Sequence, residues 1–115
     1  MEQLSEMDFV AIGDHEPAAK KDEISGWLEQ LPEWQVLERD GASQLERGFE
    51  FEDFAQALGF TNRVGRLAEE KNHHPTLVTE WGKVTVTWWT HSVGGLHRND
   101  FVMAAKTDEL YEEQI

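Results

Sequence analysis

Hydrophobic residues recur at helical spacing in three stretches of the chain. In the first, Asp22–Leu31, apolar side chains fall at positions i, i+3, i+4 and i+7, and Pro32 then disfavours further helix. A second stretch covers Glu52–Lys71 and is broken by the polar run 72–75. A third, Asp100–Glu112, lies close to the end of the chain. The pattern therefore predicts three helices.

Between these helices, short extended runs are separated by turn signals. Asp40-Gly41 and Gly82 are residues that favour tight turns, so each joins two runs into a hairpin. The predicted strands are Trp34–Leu37, Gln44–Phe51, Leu77–Trp81 and Lys83–Thr90. The order α-β-β-α-β-β-α, with paired strands joined by hairpins, predicts an α+β fold with an antiparallel sheet and its helices on one face.

The first 21 residues show no sustained period. Phe9, Val10 and Ile12 are compatible with a short strand or a docking segment, and Asp14–Lys21 has the composition of a loop. His15 has no predicted role beyond the surface. We therefore expect an N-terminal extension over residues 1–21, followed by one domain over residues 22–115.

Composition limits the possible functions. The chain has 115 residues, and its 39% hydrophobic content suits one packed domain. The net charge of −13 disfavours direct binding to nucleic acid or to anionic membranes, and it would suit a high-salt cytoplasm. The absence of cysteine excludes disulfides and thiol chemistry. No secretory signal is recognisable, and no run reaches the roughly 20 apolar residues of a membrane span, so we expect a cytoplasmic protein.

Four of the five histidines, His73, His74, His91 and His97, lie within 25 positions of one another. Imidazole titrates near neutral pH, so such a cluster is a candidate for proton transfer. The alternatives are surface or capping roles and a metal site. Adjacent histidines at a helix end point in different directions, and the H-E-x-x-H spacing is absent, so a metal site is the less favoured reading.

Taken together, these residues resemble the signature of a known family. Glu69, the run His73-His74-Pro75, Trp81, His91 and Asp100 stand at the spacing of the pterin-4a-carbinolamine dehydratases. Like residues also occur at Leu31-Pro32, Trp34, Leu45, Arg47, Phe49, Phe51, Asp53-Phe54, Ala57, Gly59-Phe60, Arg63-Val64, Ala68 and Gly95-Leu96. The resemblance covers about residues 22–113, and the first 20 residues look unrelated to the usual N-terminus of the family.

The resemblance implies a four-stranded antiparallel sheet with three helices on one face, in a homodimer or homotetramer. It implies an enzyme that removes water from a small-molecule 4a-hydroxytetrahydropterin with no metal and no cofactor. The implied catalytic residues are His73, His74 and His91, and the implied substrate-binding or supporting residues are Glu69, Pro75, Trp81 and Asp100. Dehydration needs an acid and a base, and our hypothesis is that His73 and His91 transfer protons while His74 holds the pterin.

Several positions have competing interpretations. Asp100 is favoured slightly as a first-turn acid of the last helix, with an indirect role in the site. His97 stands where relatives have a capping hydroxyl, so we expect a weakened helix start. Asn72 and Asn99 also depart from the family pattern, which puts in doubt the contacts made there. Trp81 could wall the site or simply pack, and Trp88 and Trp89 are expected to pack on opposite faces of their strand.

Two other functions stay open. The same fold serves non-enzymatic dimerisation or assembly cofactors, although a pure scaffold need not keep three histidines. An enzyme acting on another pterin, for instance in molybdopterin metabolism, is the third possibility.

Overall fold

The computed structural model describes residues 3–10 and 17–113. The predictions for Ile12 and His15, and the first part of the predicted loop, lie outside these residues. The helices are α1 (Lys21–Leu28), α2 (Phe54–Lys71) and α3 (Arg98–Glu112), and the strands are β1 (Gln35–Arg39), β2 (Ala42–Glu50), β3 (Thr76–Glu80) and β4 (Lys83–Trp88). Short 3-10 turns cover Leu4–Glu6 and His91–Val93. The predicted fold class and element order are confirmed.

The four strands form one antiparallel sheet in the order β1-β2-β4-β3. The turn between β1 and β2 is the predicted Asp40-Gly41, and both residues have positive φ, 52° and 78°. Gly82, between β3 and β4, has φ of 78°. An added Cβ at Gly82 would lie 3.2 Å from the carbonyl oxygen of Phe51, so the turn requires glycine for space as well as for φ.

One face of the sheet carries the core. Leu45 pairs with Trp88 and Phe49 with Val84, and all four side chains are buried. Because side chains alternate along a strand, these residues point to the same side. Helices α2 and α3 pack on the sheet and on each other, and α1 reaches α3 through Trp27, whose ring lies 5.0 Å from that of Phe101.

A polar group is built into this apolar layer. Arg47 of β2 donates to Asp108 of α3 at 2.7 Å, and its guanidinium lies 4.3 Å from the Phe49 ring centroid. Trp34 donates to the same carboxylate at 2.9 Å. Burial raises the pKa of Asp108, while the hydrogen bond from Trp34 and the charge of Arg47 oppose that rise. The paired charges join the sheet to α3.

The ends of α2 follow ordinary capping chemistry. Asp53 lies just before the helix, and its carboxylate accepts a hydrogen bond from the backbone N–H of Gln56 at 2.8 Å. Asn72 ends the helix in the left-handed conformation, with φ of 51°. Asparagine tolerates this conformation well, and its own N–H reaches the carbonyl of Ala68.

The expectation that His97 weakens the start of α3 is wrong. His97 is the N-cap, and its Nδ1 accepts the backbone N–H of Asn99 at 3.0 Å. The carboxylate of Asp100 in turn accepts the backbone N–H of His97 at 2.9 Å. The two side chains form a reciprocal capping box in which an imidazole nitrogen replaces the usual hydroxyl. The helix therefore begins at Arg98, two residues before the predicted start.

Other boundaries also moved by a few residues. The first helix is shorter than predicted and ends at Leu28. Trp81 lies in the turn after β3 and is 74% exposed, and β4 ends at Trp88. Thr90 instead forms an isolated bridge with Gly95. None of the helices within residues 3–10 and 17–113 is both long enough and apolar enough to cross a membrane.

Candidate active site

Three of the clustered histidines line one open cleft at the junction of α2, β4 and the following 3-10 turn. The cleft has a volume of about 520 Å³. Its walls are Phe9, Lys71, Asn72, His73, His74, Trp89, Thr90, His91 and Ser92. A larger recess of about 740 Å³ lies elsewhere, beside Arg63 and Tyr111, and has no histidine among its described lining residues.

His73 is the buried member of the cluster. Its Nε2 lies 2.7 Å from Oδ1 of Asp100, a side chain with no exposed surface. The other carboxylate oxygen of Asp100 accepts from the Thr90 hydroxyl at 2.8 Å and from the backbone N–H of His97 at 2.9 Å. An ionised carboxylate acts only as an acceptor, so Nε2 of His73 is assigned as the N–H donor to Asp100. In the neutral imidazole, Nδ1 is then the basic nitrogen.

Aromatic rings fix the plane of this imidazole. The indole of Trp88 stacks on His73 with ring centroids 5.7 Å apart and an interplanar angle of 5°. Phe9, from the N-terminal segment, contacts the same imidazole at 5.5 Å with an angle of 54°. Trp88 is itself fixed by donating to the Thr107 hydroxyl at 3.2 Å. His73 is thus positioned by a carboxylate and by two rings.

His74 and His91 are more accessible to solvent. Nε2 of His74 lies 2.5 Å from the carboxylate of Glu69, and their side chains are 54% and 77% exposed. His91 begins the 3-10 turn after β4, and its ring lies 4.4 Å from that of Trp89. The predicted histidines therefore share one cleft but differ in their surroundings, with His73 buried and the other two near water.

The remaining predicted residues divide into two groups. Glu69 contacts His74, and Asp100, in the first turn of α3, contacts His73 from behind the cleft wall, while its role in the site stays a prediction. Pro75 and Trp81 do not line the cleft. Trp81 follows the five residues of β3, which places it about 17 Å further along the strand direction. The substrate-binding role of Pro75 and Trp81 remains a prediction.

The sequence reasoning missed Thr90 as a partner of Asp100 and Trp89 as part of the cleft. Trp88 is buried in the core, whereas Trp89 is half-buried and lines the cleft. The alternation predicted along β4 contained the signal for Trp89, because a neighbour of a core residue points away from the core. Nothing in the local pattern identified Thr90.

The arrangement is suited to acid–base chemistry. Within residues 3–10 and 17–113, no group of three or more His, Cys, Asp or Glu side chains could hold a metal ion. Two of the three cleft histidines pair with carboxylates, His73 with a buried one and His74 with an exposed one. By its α+β fold and this geometry, the chain is a small protein with a histidine–carboxylate cleft at the end of an antiparallel sheet.

Comparison with known proteins gives the family. The family model described as pterin 4 alpha carbinolamine dehydratase matches residues 17–110, and the chain belongs to this family. A protein of Syntrophotalea carbinolica, provisionally named a pterin-4-alpha-carbinolamine dehydratase, is 54% identical over 97% of this chain and 100% of its own length. A protein of Chlorobium limicola with the same provisional name is also 54% identical, over 97% of this chain and 99% of its own length.

Solved structures agree with this assignment. A crystal structure from Brucella melitensis, described as a transcriptional coactivator/pterin dehydratase, matches with a TM-score of 0.74 and 33% identity over 82% of this chain and 98% of that one. A pterin dehydratase-like protein described as a RuBisCO assembly factor in the alpha-carboxysome matches with a TM-score of 0.57 and 23% identity, over 68% of this chain and 88% of that one. The second likeness is one of fold alone.

Proposed function

We propose that the protein catalyses the dehydration of a 4a-hydroxytetrahydropterin to the quinonoid dihydropterin, in pterin recycling after an aromatic amino acid hydroxylase. The observation that carries this proposal is the His73–Asp100 contact at the wall of an open cleft, in a chain of the pterin carbinolamine dehydratase family. A buried carboxylate behind an imidazole is a recurring way to orient a proton-transfer group.

The reaction requires two proton movements and no redox partner. The bond between carbon 4a and its hydroxyl oxygen breaks, and that oxygen leaves as water after receiving a proton. Ring nitrogen 5 loses its proton, and an electron pair of this nitrogen forms the double bond to carbon 4a. Each positioned proton transfer contributes about 10²–10⁴ in rate, so one base and one acid make a substantial catalyst.

His73 is suited to be the base. Its Nε2–H points to Asp100, so Nδ1 is the nitrogen that would accept a proton, and the carboxylate would stabilise the imidazolium that forms. His91 lies in the same cleft, is exposed, and can exchange protons with water, which suits the acid. His74, held by Glu69, would bind the pterin. The mechanism needs no metal, since acid–base chemistry supplies both proton transfers.

A non-enzymatic role on the same fold is a second candidate. It is supported by the Brucella melitensis relative, whose description includes transcriptional coactivator. The net charge of −13 would direct such a role to a protein partner rather than to DNA. An enzyme on a different pterin is the third candidate, and a substrate panel separates it from the first.

The test is the dehydration rate of several 4a-hydroxytetrahydropterins, followed by ultraviolet absorbance with a chelator present. We expect acceleration by the wild type that survives chelation, and a loss in kcat of about 10²-fold or more in His73→Ala. Full activity in His73→Ala would overturn the assigned role. No acceleration of any 4a-hydroxytetrahydropterin would favour the second candidate.

A matched pair of variants tests substrate binding. Glu69 and Glu70 are adjacent exposed carboxylates, but Glu69 contacts His74 and lies beside the cleft. Glu69→Ala is expected to raise KM several-fold with little change in kcat, because it releases the imidazole that holds the pterin. Glu70→Ala should leave both constants unchanged. Equal effects of the two variants would contradict the role of the His74–Glu69 pair.

A further inference from the structure

The N-terminal segment, residues 3–10, is anchored along α3 and reaches the cleft. Leu4 is fully buried, and its backbone N–H donates to Oε1 of Gln30 at 2.8 Å. The Lys106 ammonium donates to the carbonyl of Ser5 at 3.1 Å. A buried side chain and two hydrogen bonds therefore hold the first half of this segment on the folded domain.

The second half is held more specifically. Asn99 has no exposed surface, and its side-chain amide makes two hydrogen bonds to the backbone of Val10, accepting from N–H at 3.1 Å and donating to the carbonyl at 2.7 Å. Arg98 donates to the carbonyl of Asp8 at 3.0 Å. The backbone is thus fixed on both sides of Phe9. Both hydrogen bonds of the buried Asn99 amide go to the backbone of Val10. Moving the segment would leave this buried amide without partners, which costs free energy, so the two bonds fix the position of the segment.

Phe9 is the residue that these contacts place in the cleft. Its half-buried ring contacts the His73 imidazole on one side and lines the cleft with Trp89 and His91. Consecutive residues of α3 thereby organise two parts of the site. Arg98 and Asn99 hold the segment that carries Phe9, while Asp100 holds His73.

We propose that Phe9 of the N-terminal segment completes the substrate site as a specificity-determining wall against the ring system of the pterin, with Asn99 as its positioning residue. The inference rests on the proposed function and extends it. Residues 3–10 precede residue 17, where the match to the family model begins. The relatives that align over 97% of this chain leave room for only a few unaligned residues, so those alignments extend into the segment.

Kinetics of full-length variants test whether Phe9 contacts the pterin. Phe9→Ala is expected to raise KM for the pterin about tenfold, because losing one aromatic contact typically weakens binding by about this factor. The value of kcat should stay within about twofold of the wild type. Phe9→Tyr keeps the ring and should restore KM. Val10→Ala is the matched control, since its side chain is exposed outside the cleft and the backbone bonds to Asn99 remain. An unchanged KM in Phe9→Ala would overturn the proposal.

The positioning role of Asn99 has its own readout. Asn99→Ala should raise KM as Phe9→Ala does, and the double variant should be no worse than Phe9→Ala alone, because both changes remove the same contact. Multiplied effects would show that Asn99 does not act through Phe9. If Asn99→Ala fails to fold, Arg98→Ala removes one bond to the segment and should give a smaller rise in KM, and no rise would count against the proposal.

A binding measurement separates this inference from the proposed function. Dissociation constants for 7,8-dihydrobiopterin, followed by quenching of tryptophan fluorescence, should rise about tenfold in Phe9→Ala if the wall contacts the ring. If the wild type is catalytically active and Phe9→Ala has the same KM and Kd, the proposed role of Phe9 is wrong and the dehydratase function stands. If the wild type binds the pterin without catalysing dehydration, and Phe9→Ala binds it more weakly, the dehydratase function is wrong and the role of Phe9 stands. If the wild type neither binds the pterin nor catalyses its dehydration, both proposals are wrong.

Discussion

At the scale of single residues, Asp100 connects the start of α3 to the histidine cleft. One oxygen caps α3 through the backbone of His97, and the other holds His73. Ser or Thr in place of Asp100 would put no carboxylate behind the imidazole. Aspartate at this position therefore suits both the start of the helix and the proposed proton transfer at His73.

Asp100→Asn tests this residue. The amide keeps the shape but cannot stabilise an imidazolium with a charge, and we expect kcat to fall about 10²-fold. Thr90→Val is the matched control, since it removes one hydrogen bond to Asp100 and leaves the carboxylate in place. A smaller loss in the control than in Asp100→Asn, measured with thermal unfolding of both, is the expected result. Equal losses would assign the effect to packing.

His97 gives a second prediction at this scale. Its Nδ1 accepts the N–H of Asn99, so His97→Ala should lower the free energy of unfolding in urea by about 1 kcal/mol. His97→Asn should recover most of that loss, because asparagine is a good N-cap. A His97→Ala protein as stable as the wild type would show that the capping bond contributes nothing.

At the scale of secondary-structure elements, β2 has a different task on each face. Leu45 and Phe49 fill the core, while Glu46 on the opposite face accepts from Arg39 of β1 at 2.7 Å and from Thr87 of β4 at 2.8 Å. This carboxylate joins three neighbouring strands on the face away from the helices. The hydrogen bond from Arg39 is the main reason that the pKa of Glu46 lies below its ordinary value of 4.5.

The pH dependence of stability follows from this shift. A carboxyl whose pKa is lowered on folding stabilises the protein above its unfolded pKa, and the contribution is lost as pH falls through the folded value. Glu46→Gln should therefore cost about 0.5–1 kcal/mol at pH 7, since Arg39 is half exposed, and the difference from wild type should shrink below about pH 4.5. Glu50→Gln, on the same strand, is the control. A difference that persists undiminished at pH 3 would contradict the account.

Elements were easier to predict than the contacts between them. The Asp40-Gly41 turn and the alternation along β4 identified the hairpins, because both signals are local. The His73–Asp100 pair joins residues 27 positions apart, so only the assembled fold, or the family resemblance, brings them together. Residues 3–10 are held by the buried Leu4 and by hydrogen bonds between their backbone and side chains such as Asn99, and these contacts leave no hydrophobic period in the sequence.

At the scale of the whole molecule, apolar side chains remain on the surface. Val78 lies on the edge strand β3 and is 48% exposed, and Trp81 follows it in the next turn at 74%. An exposed apolar side chain on an edge strand is a candidate contact with another chain, and the homo-oligomer expected from the sequence stays a prediction.

Sedimentation of the wild type should accordingly give a mass of two or four chains. Val78→Lys adds a charge to the middle of the β3 edge, and we expect the mass to shift toward one chain. Val10→Lys, at another exposed apolar position, is the control and should leave the mass unchanged. A monomeric wild type would contradict the expectation, and an unchanged oligomer in Val78→Lys would place the interface elsewhere.

The most direct test of the central claim is a double-mutant cycle on the dehydration rate with His73→Ala, Asp100→Asn and the double variant. If the two residues act as one proton-transfer unit, each single change lowers kcat strongly and the double variant is no slower than His73→Ala. Multiplicative losses would mean that Asp100 acts independently of His73. A His73→Ala enzyme with full activity would show that the cleft does not use this imidazole.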